Sequence, residues 1–198
     1  MMAKMPSGLM AEHWAAIRNN LPEYLYFALR FALAWVTKGD RIRLNSTLVS
    51  LMRGAAFSVE RGGQLSLSSA ALRTNAEILV QPGGRVSIGD HFFLGKNATI
   101  CCVEEITIGT DVLIAELSRL YDHDHVFSRT DITFGRQGLK SAPIRIGNNV
   151  WIASNVFIGK GVNIGDNVVI GAGTIVTRDI PSNTLAYGRS ELTLRPLD

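Results

Sequence analysis

The sequence predicts an all-β fold in which short strands wind into stacked three-sided coils, preceded by a helical segment. Two observations predict the coils. An aliphatic residue recurs every six positions between Ile144 and Val176, and Asn, Gly or Asp follows it three positions later. A period of six does not keep to one face of a helix with 3.6 residues per turn, so a helix is excluded there. The third observation is an apolar stretch without this period in residues 1–39,.

Six consecutive hexads carry the repeat, which is the sequence signature of a stacked architecture. Their aliphatic positions are Ile146, Ile152, Ile158, Ile164, Ile170 and Val176. Their corner positions are Asn149, Asn155, Gly161, Asn167, Gly173 and Asp179. Each aliphatic side chain is expected to point inward, and each corner needs a residue that tolerates a left-handed backbone. Three hexads then close one coil of about 18 residues, and coils stack by parallel pairing about 4.8 Å apart.

The repeat extends upstream and is interrupted once. Its upstream aliphatic positions are Ile88, Leu94, Ile100, Ile108, Ile114 and Leu120, with a slip of two residues between the two sets of three. Residues 126–143 break the register with a polar, basic and turn-rich stretch, and the repeat resumes at Ile146. Long excursions from a rigid scaffold usually carry function, so we expect this loop to contribute to a site. Before Val86 the sequence is β-rich but has no clean register.

The first residues predict helix, since Pro22 suits a first turn and Gly39 suits an end,. The residues between them are apolar nearly all round. This is typical of a helix that packs on its own domain, packs on another subunit or makes peripheral membrane contact, and these interpretations stay open. The predicted organisation is a helical segment at 1–39, a coiled domain at 40–188 and a tail at 189–198.

Composition restricts the function classes. The chain has 198 residues, a formal net charge of +3, 46% hydrophobic and 19% charged residues, which fits one domain with a core and excludes a disordered chain. Basic residues are scattered, so nucleic-acid binding is not expected. Cys101 and Cys102 are adjacent, so neither a disulfide between them nor a cysteine-based zinc site is expected. No secretory signal is evident, and the predicted location is reducing and cytoplasmic.

Four segments carry a resemblance to a known family: IGTDVLIA at 108–115, LYDHDH at 120–125, VWIASNV at 150–156 and IGAGTIVTRDIP at 170–181. Over roughly residues 87–188 the sequence resembles the hexapeptide-repeat acyltransferases, in particular sugar O-acetyltransferases such as the galactoside and maltose enzymes. The resemblance implies a left-handed parallel β-helix that assembles as a homotrimer. It also implies acetyl-CoA as acyl donor, bound between adjacent β-helices, with no metal required.

His125 is the first candidate for catalysis. The resemblance puts it where the family carries its catalytic histidine, and a histidine titrates near neutral pH and can take the proton of a hydroxyl nucleophile. In the hexad register it falls at an outward-facing sixth position. His123 falls at a corner, where it is interpreted as a turn residue or as a second catalytic residue. Asp122 and Asp124 either orient a histidine or cap the turn.

The resemblance also implies an acceptor site and a coenzyme site. Asn97 and Trp151 match residues that line the acceptor site, although Asn97 also fits a corner and Trp151 also fits packing between subunits. The coenzyme-binding positions that the resemblance implies are Ser154, Ala172, Thr177, Arg178 and Arg195. The Ser154 backbone N–H would face the developing oxyanion. The sequence departs from the family pattern after Gly188, so which arginine holds the coenzyme phosphates stays open.

The predicted activity is transfer of an acetyl group from acetyl-CoA to a sugar hydroxyl in a ternary complex. The acceptor is expected to be a nucleotide sugar, a lipid-linked saccharide or an exopolysaccharide unit. The alternatives are N-acetylation of an amino sugar, a non-catalytic scaffold and a metal-dependent hydratase that holds zinc with three histidines. For the last, His91 precedes His125 by about two coils, roughly 10 Å along the axis, so one subunit could not join them at one metal.

Overall fold

The computed structural model describes residues 41–45 and 49–188, which form a parallel β-helix with three sheets as its sides. The first sheet contains β1 (Ile42–Leu44), β4 (Gln64–Leu67), β7 (Arg85–Ile88), β10 (Glu105–Ile108), β15 (Ile144–Ile146) and β18 (Asn163–Ile164). The second contains β2 (Val49–Leu51), β5 (Ala70–Leu72), β8 (Phe92–Leu94), β11 (Leu113–Ile114), β16 (Trp151–Ile152), β19 (Val169–Ile170) and β21 (Leu185–Ala186). The third contains β3 (Ala56–Val59), β6 (Glu77–Val80), β9 (Thr99–Cys102), β12 (Arg119–Tyr121), β17 (Phe157–Ile158) and β20 (Ile175–Val176). The predicted helical segment at 1–39 and the tail at 189–198 lie outside the described residues.

The core consists of aliphatic side chains that stack from coil to coil. On the first sheet, for example, Ile108 pairs with Ile88 on one side and with Ile146 on the other. All twelve predicted aliphatic positions are at most 4% exposed, which confirms the inward direction of the hexad aliphatic. Parallel strands buried in this way gain stability from apolar burial of about 25 cal/mol per Å².

The corners between the sheets form three columns along the helix axis. The first corner joins the first and second sheets, at residues 89–91, 109–111, 147–149 and 165–167. The second corner joins the second and third sheets, at residues 95–98, 115–118, 153–156 and 171–174. The third corner joins the third and first sheets, at residues 103–104, 159–162 and 177–179. The predicted corner residues with a positive φ are Asn149, Asn155, Gly161, Asn167 and Gly173, with values from 52° to 79°. Asp179 is the exception: its φ is not positive, and its carboxylate accepts the Asn163 backbone N–H at 2.7 Å.

The upstream part of the chain also forms coils, although the sequence analysis found no register before Val86. Leu44 pairs with Leu67, 23 positions later, and Leu67 pairs with Ile88 after 21. In the downstream repeat, Ile146 pairs with Ile164 after 18. The early strands have three or four residues, whereas most strands of the downstream repeat have two. These longer strands remove the period of six without changing the stacking.

The excursion is a two-stranded antiparallel hairpin that leaves the third corner after Tyr121. Its strands are β13 (His123–His125) and β14 (Leu139–Ser141), and a single 3-10 turn (Phe134–Arg136) lies between them. The hairpin thus takes in both histidines, three residues ahead of the loop predicted at 126–143. His123 was expected at a corner and His125 at a coil position. Both instead lie in an extended strand, because the chain pairs with its own returning segment rather than turning into a new side.

Candidate functional site

The hairpin is attached to the coils on both sides of its histidine-bearing strand. The Lys160 ammonium, at the third corner, forms an ion pair with the Asp124 carboxylate. The backbone N–H of Ala142 donates to the carbonyl of Asp122 at 2.9 Å, and the N–H of Gly161 donates to the carbonyl of Ala142 at 3.0 Å. These contacts fix the root of an otherwise exposed excursion.

Asp122 lies at this root and is fully buried. Its Oδ1 accepts the Val103 backbone N–H at 2.8 Å, and its Oδ2 accepts the N–H groups of Glu104 and Glu105 at 2.8 and 3.0 Å. A buried charge needs such partners to offset the loss of water. Asp122 therefore satisfies the amides of the third corner in the coil before it.

The ring of His123 is held from two directions. Its Nδ1 lies 3.0 Å from Asp122 Oδ1, and its ring stacks on Tyr121 with centroids 5.8 Å apart and planes 13° apart. Its side chain retains 16% exposure. His123 is therefore oriented before any ligand binds.

His125 occupies the same face of the strand as His123, because alternate residues of a β-strand point to the same side. It is exposed and pairs by backbone with Leu139. Its side chain has no hydrogen-bond partner among the described residues. Asp124, on the opposite face, takes the contact with Lys160. The anchored strand consequently has one face tied to the coils and one face that carries two imidazoles.

The second corner holds three of the predicted site residues, Asn97, Ser154 and Ala172. Asn97 has φ 55°, and its Oδ1 accepts a hydrogen bond from the Asn75 side-chain amide at 3.3 Å. Asn97 therefore occupies a corner, which is one of the two interpretations given above. The Ser154 hydroxyl donates to Glu116 Oε1 at 2.6 Å, and this hydrogen bond lowers the pKa of the exposed Glu116 carboxyl. Ala172 is exposed. The backbone N–H of Ser154 makes no hydrogen bond to another described residue.

Trp151 lies on the outer face of the second sheet and is 52% exposed. It pairs with Leu113 on one side and Val169 on the other, and Phe93 and Leu185 extend the row. Leu113 and Leu185 are 49% and 63% exposed. One side of the β-helix therefore presents an apolar stripe along its axis.

Thr177 and Arg178 are exposed at the third corner, one coil after the corner residues that contact the hairpin. Arg178 forms no ion pair within the described ranges, and Arg195 lies outside them. A single chain therefore does not bring the predicted residues together. The histidines, Thr177 and Arg178 belong to the third corner, whereas Asn97, Ser154 and Ala172 belong to the second.

Sequence reasoning did not identify Glu116 or Lys160 as residues of this region. It considered Asp122 but did not place its side chain in the core. The register of the third sheet contains the missing signal for Asp122. Val80 pairs with Cys102, and Tyr121 pairs with Cys101, so Asp122 continues the inward column. A carboxylate in a column of apolar side chains breaks the pattern, but counting hexads along the sequence did not reveal that Asp122 belongs to this column.

Among the described residues, one further histidine lies outside the hairpin. His91, at the first corner, has its Nδ1 2.9 Å from Asp111 Oδ1 and a side chain that is 61% exposed. In residues 41–45 and 49–188, no three His, Cys, Asp or Glu side chains are grouped so as to hold a metal ion. In the same ranges no helix is long and apolar enough to cross a membrane.

Comparisons with known proteins agree with this architecture. Residues 143–178 match the family described as bacterial transferase hexapeptide (six repeats), and residues 85–115 match the hexapeptide repeat of succinyl-transferase. Over 106 residues the chain is 47% identical to galactoside O-acetyltransferase of Escherichia coli K12, covering 54% of this chain and 51% of that protein. Over 164 residues it is 33% identical to a candidate acetyltransferase of Schizosaccharomyces pombe, covering 79% and 78%.

A solved structure extends the likeness to the fold. AntD, an N-acyltransferase from Bacillus cereus in complex with dTDP and 3-hydroxybutyryl-CoA, superposes with a TM-score of 0.62 at 18% identity, over 77% of this chain and 82% of that one. At this identity the similarity concerns the fold alone. The present chain spans about half the length of the galactoside relative.

Stacked coils with a period of six, matched by two hexapeptide-repeat family models, define the class of hexapeptide-repeat β-helix proteins. The chain belongs to the hexapeptide-repeat acetyltransferase family, as the resemblance of its sequence predicted.

Proposed function

We propose that this protein transfers an acetyl group from acetyl-CoA to a hydroxyl of a saccharide. The observation that carries the proposal is the anchored hairpin strand with His123 and His125 on one face, in a chain of the hexapeptide-repeat acetyltransferase family. The saccharide acceptor is supported by the name of the galactoside O-acetyltransferase that the chain resembles. The choice of an acyl-CoA donor is an analogy with AntD, which shares the fold and forms a complex with 3-hydroxybutyryl-CoA,.

In the proposed reaction His125 is the general base. Its neutral imidazole takes the proton of the acceptor hydroxyl while the oxygen attacks the thioester carbonyl carbon of acetyl-CoA. The tetrahedral intermediate then collapses with cleavage of the carbon–sulfur bond, and the imidazolium returns its proton to the sulfur of CoA. General-base assistance of this kind is worth about 10²- to 10⁴-fold in rate.

Electrostatic assistance is assigned to the second corner. The Ser154 backbone N–H has no intrachain acceptor in the described part of the protein and is proposed to donate to the oxyanion of the intermediate. Ala172 leaves room for the pantetheine arm, and Thr177 with Arg178 contacts the coenzyme near its phosphates. Arg195 stays a further candidate for that phosphate contact.

The site is proposed to form between subunits of a homotrimer. The third corner carries the histidines and the second corner carries Asn97 and Ser154, so a complete site needs these two corners from neighbouring protomers. The exposed stripe around Trp151 is an apolar surface of the kind that marks subunit contacts. Trp151 would line the acceptor site at that boundary. Use of acetyl-CoA suits the cytoplasm, and residues 1–39 are proposed to allow peripheral membrane contact.

The test is acceptor-dependent release of CoA thiol from acetyl-CoA, with simple galactosides and amino sugars as the first acceptors. We expect turnover with a hydroxyl acceptor and saturable acetyl-CoA binding by calorimetry, in the micromolar range that corresponds to about −8 kcal/mol. Preferential turnover of an amino group would favour N-acetylation. Absence of acetyl-CoA and CoA binding would overturn the proposal and favour a scaffold or a metal-dependent hydratase, which zinc analysis would distinguish.

A further inference from the structure

The core column that ends at Asp122 changes character along its length. Its inward members on successive coils are Val59, Val80, Cys102 and then Asp122, each at most 2% exposed. An ionised carboxylate in such a column is costly unless donors surround it. Because Asp122 lies at the root of the hairpin that carries both histidines, its charge can act on that strand.

Apart from His123, the polar neighbours of the Asp122 carboxylate are groups that can donate a hydrogen bond. Three backbone N–H groups are fixed in that role because they belong to the peptide chain. The Sγ of Cys102 lies 3.3 Å from Oδ2 and 3.3 Å from the Arg85 carbonyl oxygen, so its single proton is shared between two acceptors. A carboxylate surrounded in this way only accepts. The remaining contact, 3.0 Å from Oδ1 to Nδ1 of His123, therefore requires the proton to lie on Nδ1.

This requirement selects one of the two neutral tautomers of His123. With the proton on Nδ1, Nε2 carries a lone pair and accepts a hydrogen bond. Nε2 of His123 has no partner among the described residues, and in that part of the chain no buried side-chain nitrogen lacks one. Nε2 therefore reaches solvent, on the strand face shared with His125.

We propose that Asp122 is a positioning residue that fixes His123 as a hydrogen-bond acceptor for a hydroxyl of the saccharide. This rests on the proposed function, in which His125 removes the proton from a second hydroxyl of the same acceptor. Two imidazoles at alternate positions of one strand then bind an acceptor with at least two hydroxyls, which is the chemistry of a sugar rather than of a simple alcohol.

The first part of the test reads the tautomer without any turnover. Long-range proton–nitrogen NMR spectra of the full chain, taken where the rings are neutral, assign each of the four histidines, with His123→Asn identifying the signal of interest. We expect His123 to be protonated on Nδ1 only. His91 is the matched control, because it makes the same atom-to-atom contact with Asp111 at 2.9 Å in an exposed pair, where water competes and mixed tautomers are expected.

The second part measures kinetics with a saccharide acceptor. Asp122→Asn should raise the acceptor KM by about tenfold, the loss expected for one hydrogen bond, with the acetyl-CoA dissociation constant unchanged. Asp111→Asn should leave both values unchanged. Should Asp122→Asn fail to fold, His123→Asn replaces it, because its amide can still donate to Asp122 but has no counterpart of Nε2. A purely structural role of Asp122 predicts a normal acceptor KM for His123→Asn.

The outcomes separate this inference from the proposed function. A His123 ring protonated on Nε2 in the wild-type protein would overturn the positioning role, whatever the activity. A normal acceptor KM in both Asp122→Asn and His123→Asn would overturn the contact with the acceptor. A fixed Nδ1–H tautomer without any acetyl transfer would uphold the orientation of the ring by Asp122 but would reject the proposed function, and with it the contact with the acceptor.

Discussion

The Lys160 ammonium, at the third corner, forms an ion pair with the Asp124 carboxylate in the middle of the hairpin strand. The pair is partly exposed, with side-chain exposures of 26% and 47%. Its contribution to global stability is therefore small, since exposed ion pairs are worth about 0–1 kcal/mol. The ion pair matters instead for the candidate site, because Asp124 lies between His123 and His125 in sequence and points to the opposite face of their strand.

Removing this ion pair should loosen the hairpin without unfolding the β-helix. In Lys160→Met we expect kcat to fall by up to about fivefold, the equivalent of one exposed pair, because the histidines are held less firmly against the acceptor. The melting temperature should change little. Steady-state kinetics at low and high salt with a melting curve check this. Arg145→Met is the matched control, because it removes the ion pair with Glu105 on the first sheet. An equal loss of kcat in both variants would contradict the prediction.

Replacing the proposed base should remove catalysis and leave binding intact. We expect His125→Ala to lower kcat by about 10²- to 10⁴-fold, because no other group takes the hydroxyl proton as effectively. Calorimetry should return an unchanged acetyl-CoA affinity, and light scattering an unchanged oligomer. His91→Ala, at the distant first corner, should keep nearly full turnover. Near-normal kcat in His125→Ala would reject His125 as the base.

One corner residue is conformationally unfavourable, and its replacement should stabilise the protein. Leu117 has φ 62° in a second-corner column where Asn97 and Asn155 have φ 55° and 57°, and it is 42% exposed. A left-handed backbone costs an ordinary L-residue about 1–2 kcal/mol, and asparagine tolerates it better. Leu117→Asn should therefore raise the free energy of unfolding by about 1 kcal/mol in urea titrations.

A control separates this backbone effect from the simple removal of an exposed leucine. Leu139 is 45% exposed but lies in a strand of the hairpin, outside the left-handed region. Leu139→Asn should leave the free energy of unfolding unchanged or lower it slightly. A similar gain in both variants would attribute the effect to surface polarity and reject the strain at position 117.

Alkaline pH should destabilise the protein through Cys102. Burial raises the pKa of its thiol above the ordinary value of 9.0, and the nearby Asp122 charge raises it further. A folded-state pKa above the unfolded value means that the contribution is complete below about pH 9 and is lost as the pH rises past it, because the unfolded chain then releases the proton first.

The comparison that isolates this effect is with Cys102→Val, which repeats the valines of the same column. The stability difference between wild type and Cys102→Val should shift against the wild type by about 1 kcal/mol between pH 8 and pH 10. Urea unfolding at several pH values measures it, and other groups that titrate in this range cancel because both proteins contain them. A difference that is independent of pH would contradict the assigned cause.

Sequence reasoning succeeded where the fold is repetitive. From Ile144 to Val176 each hexad contains an aliphatic residue that points inward and a residue suited to a corner. The local sequence pattern therefore agrees with the packing of the whole fold. It failed before Val86, where Leu44 and Leu67 pair across 23 positions. The strands are longer there, and a fixed period of six cannot detect stacking between coils of unequal length.

The candidate site was only partly accessible to sequence reasoning. The sequence marked His123 and His125 through the resemblance, but it assigned them to a corner and a coil position. The hairpin that carries them depends on the pairing of His123 with Ser141, 18 residues away. No local propensity specifies that pairing. Likewise, the hydrogen bond between Ser154 and Glu116 joins neighbouring coils and has no signature along the chain.

The sequence by itself determined the coiled architecture, the inward aliphatic columns and the family, because the same local pattern of aliphatic and corner residues recurs in every hexad. The tertiary structure alone decided that Asp122 enters the core and orients His123, and that the second and third corners carry different parts of the candidate site. These features arise from contacts between coils, where residues some 20 positions apart become neighbours. A single hexad contains no information about which coil will lie above it.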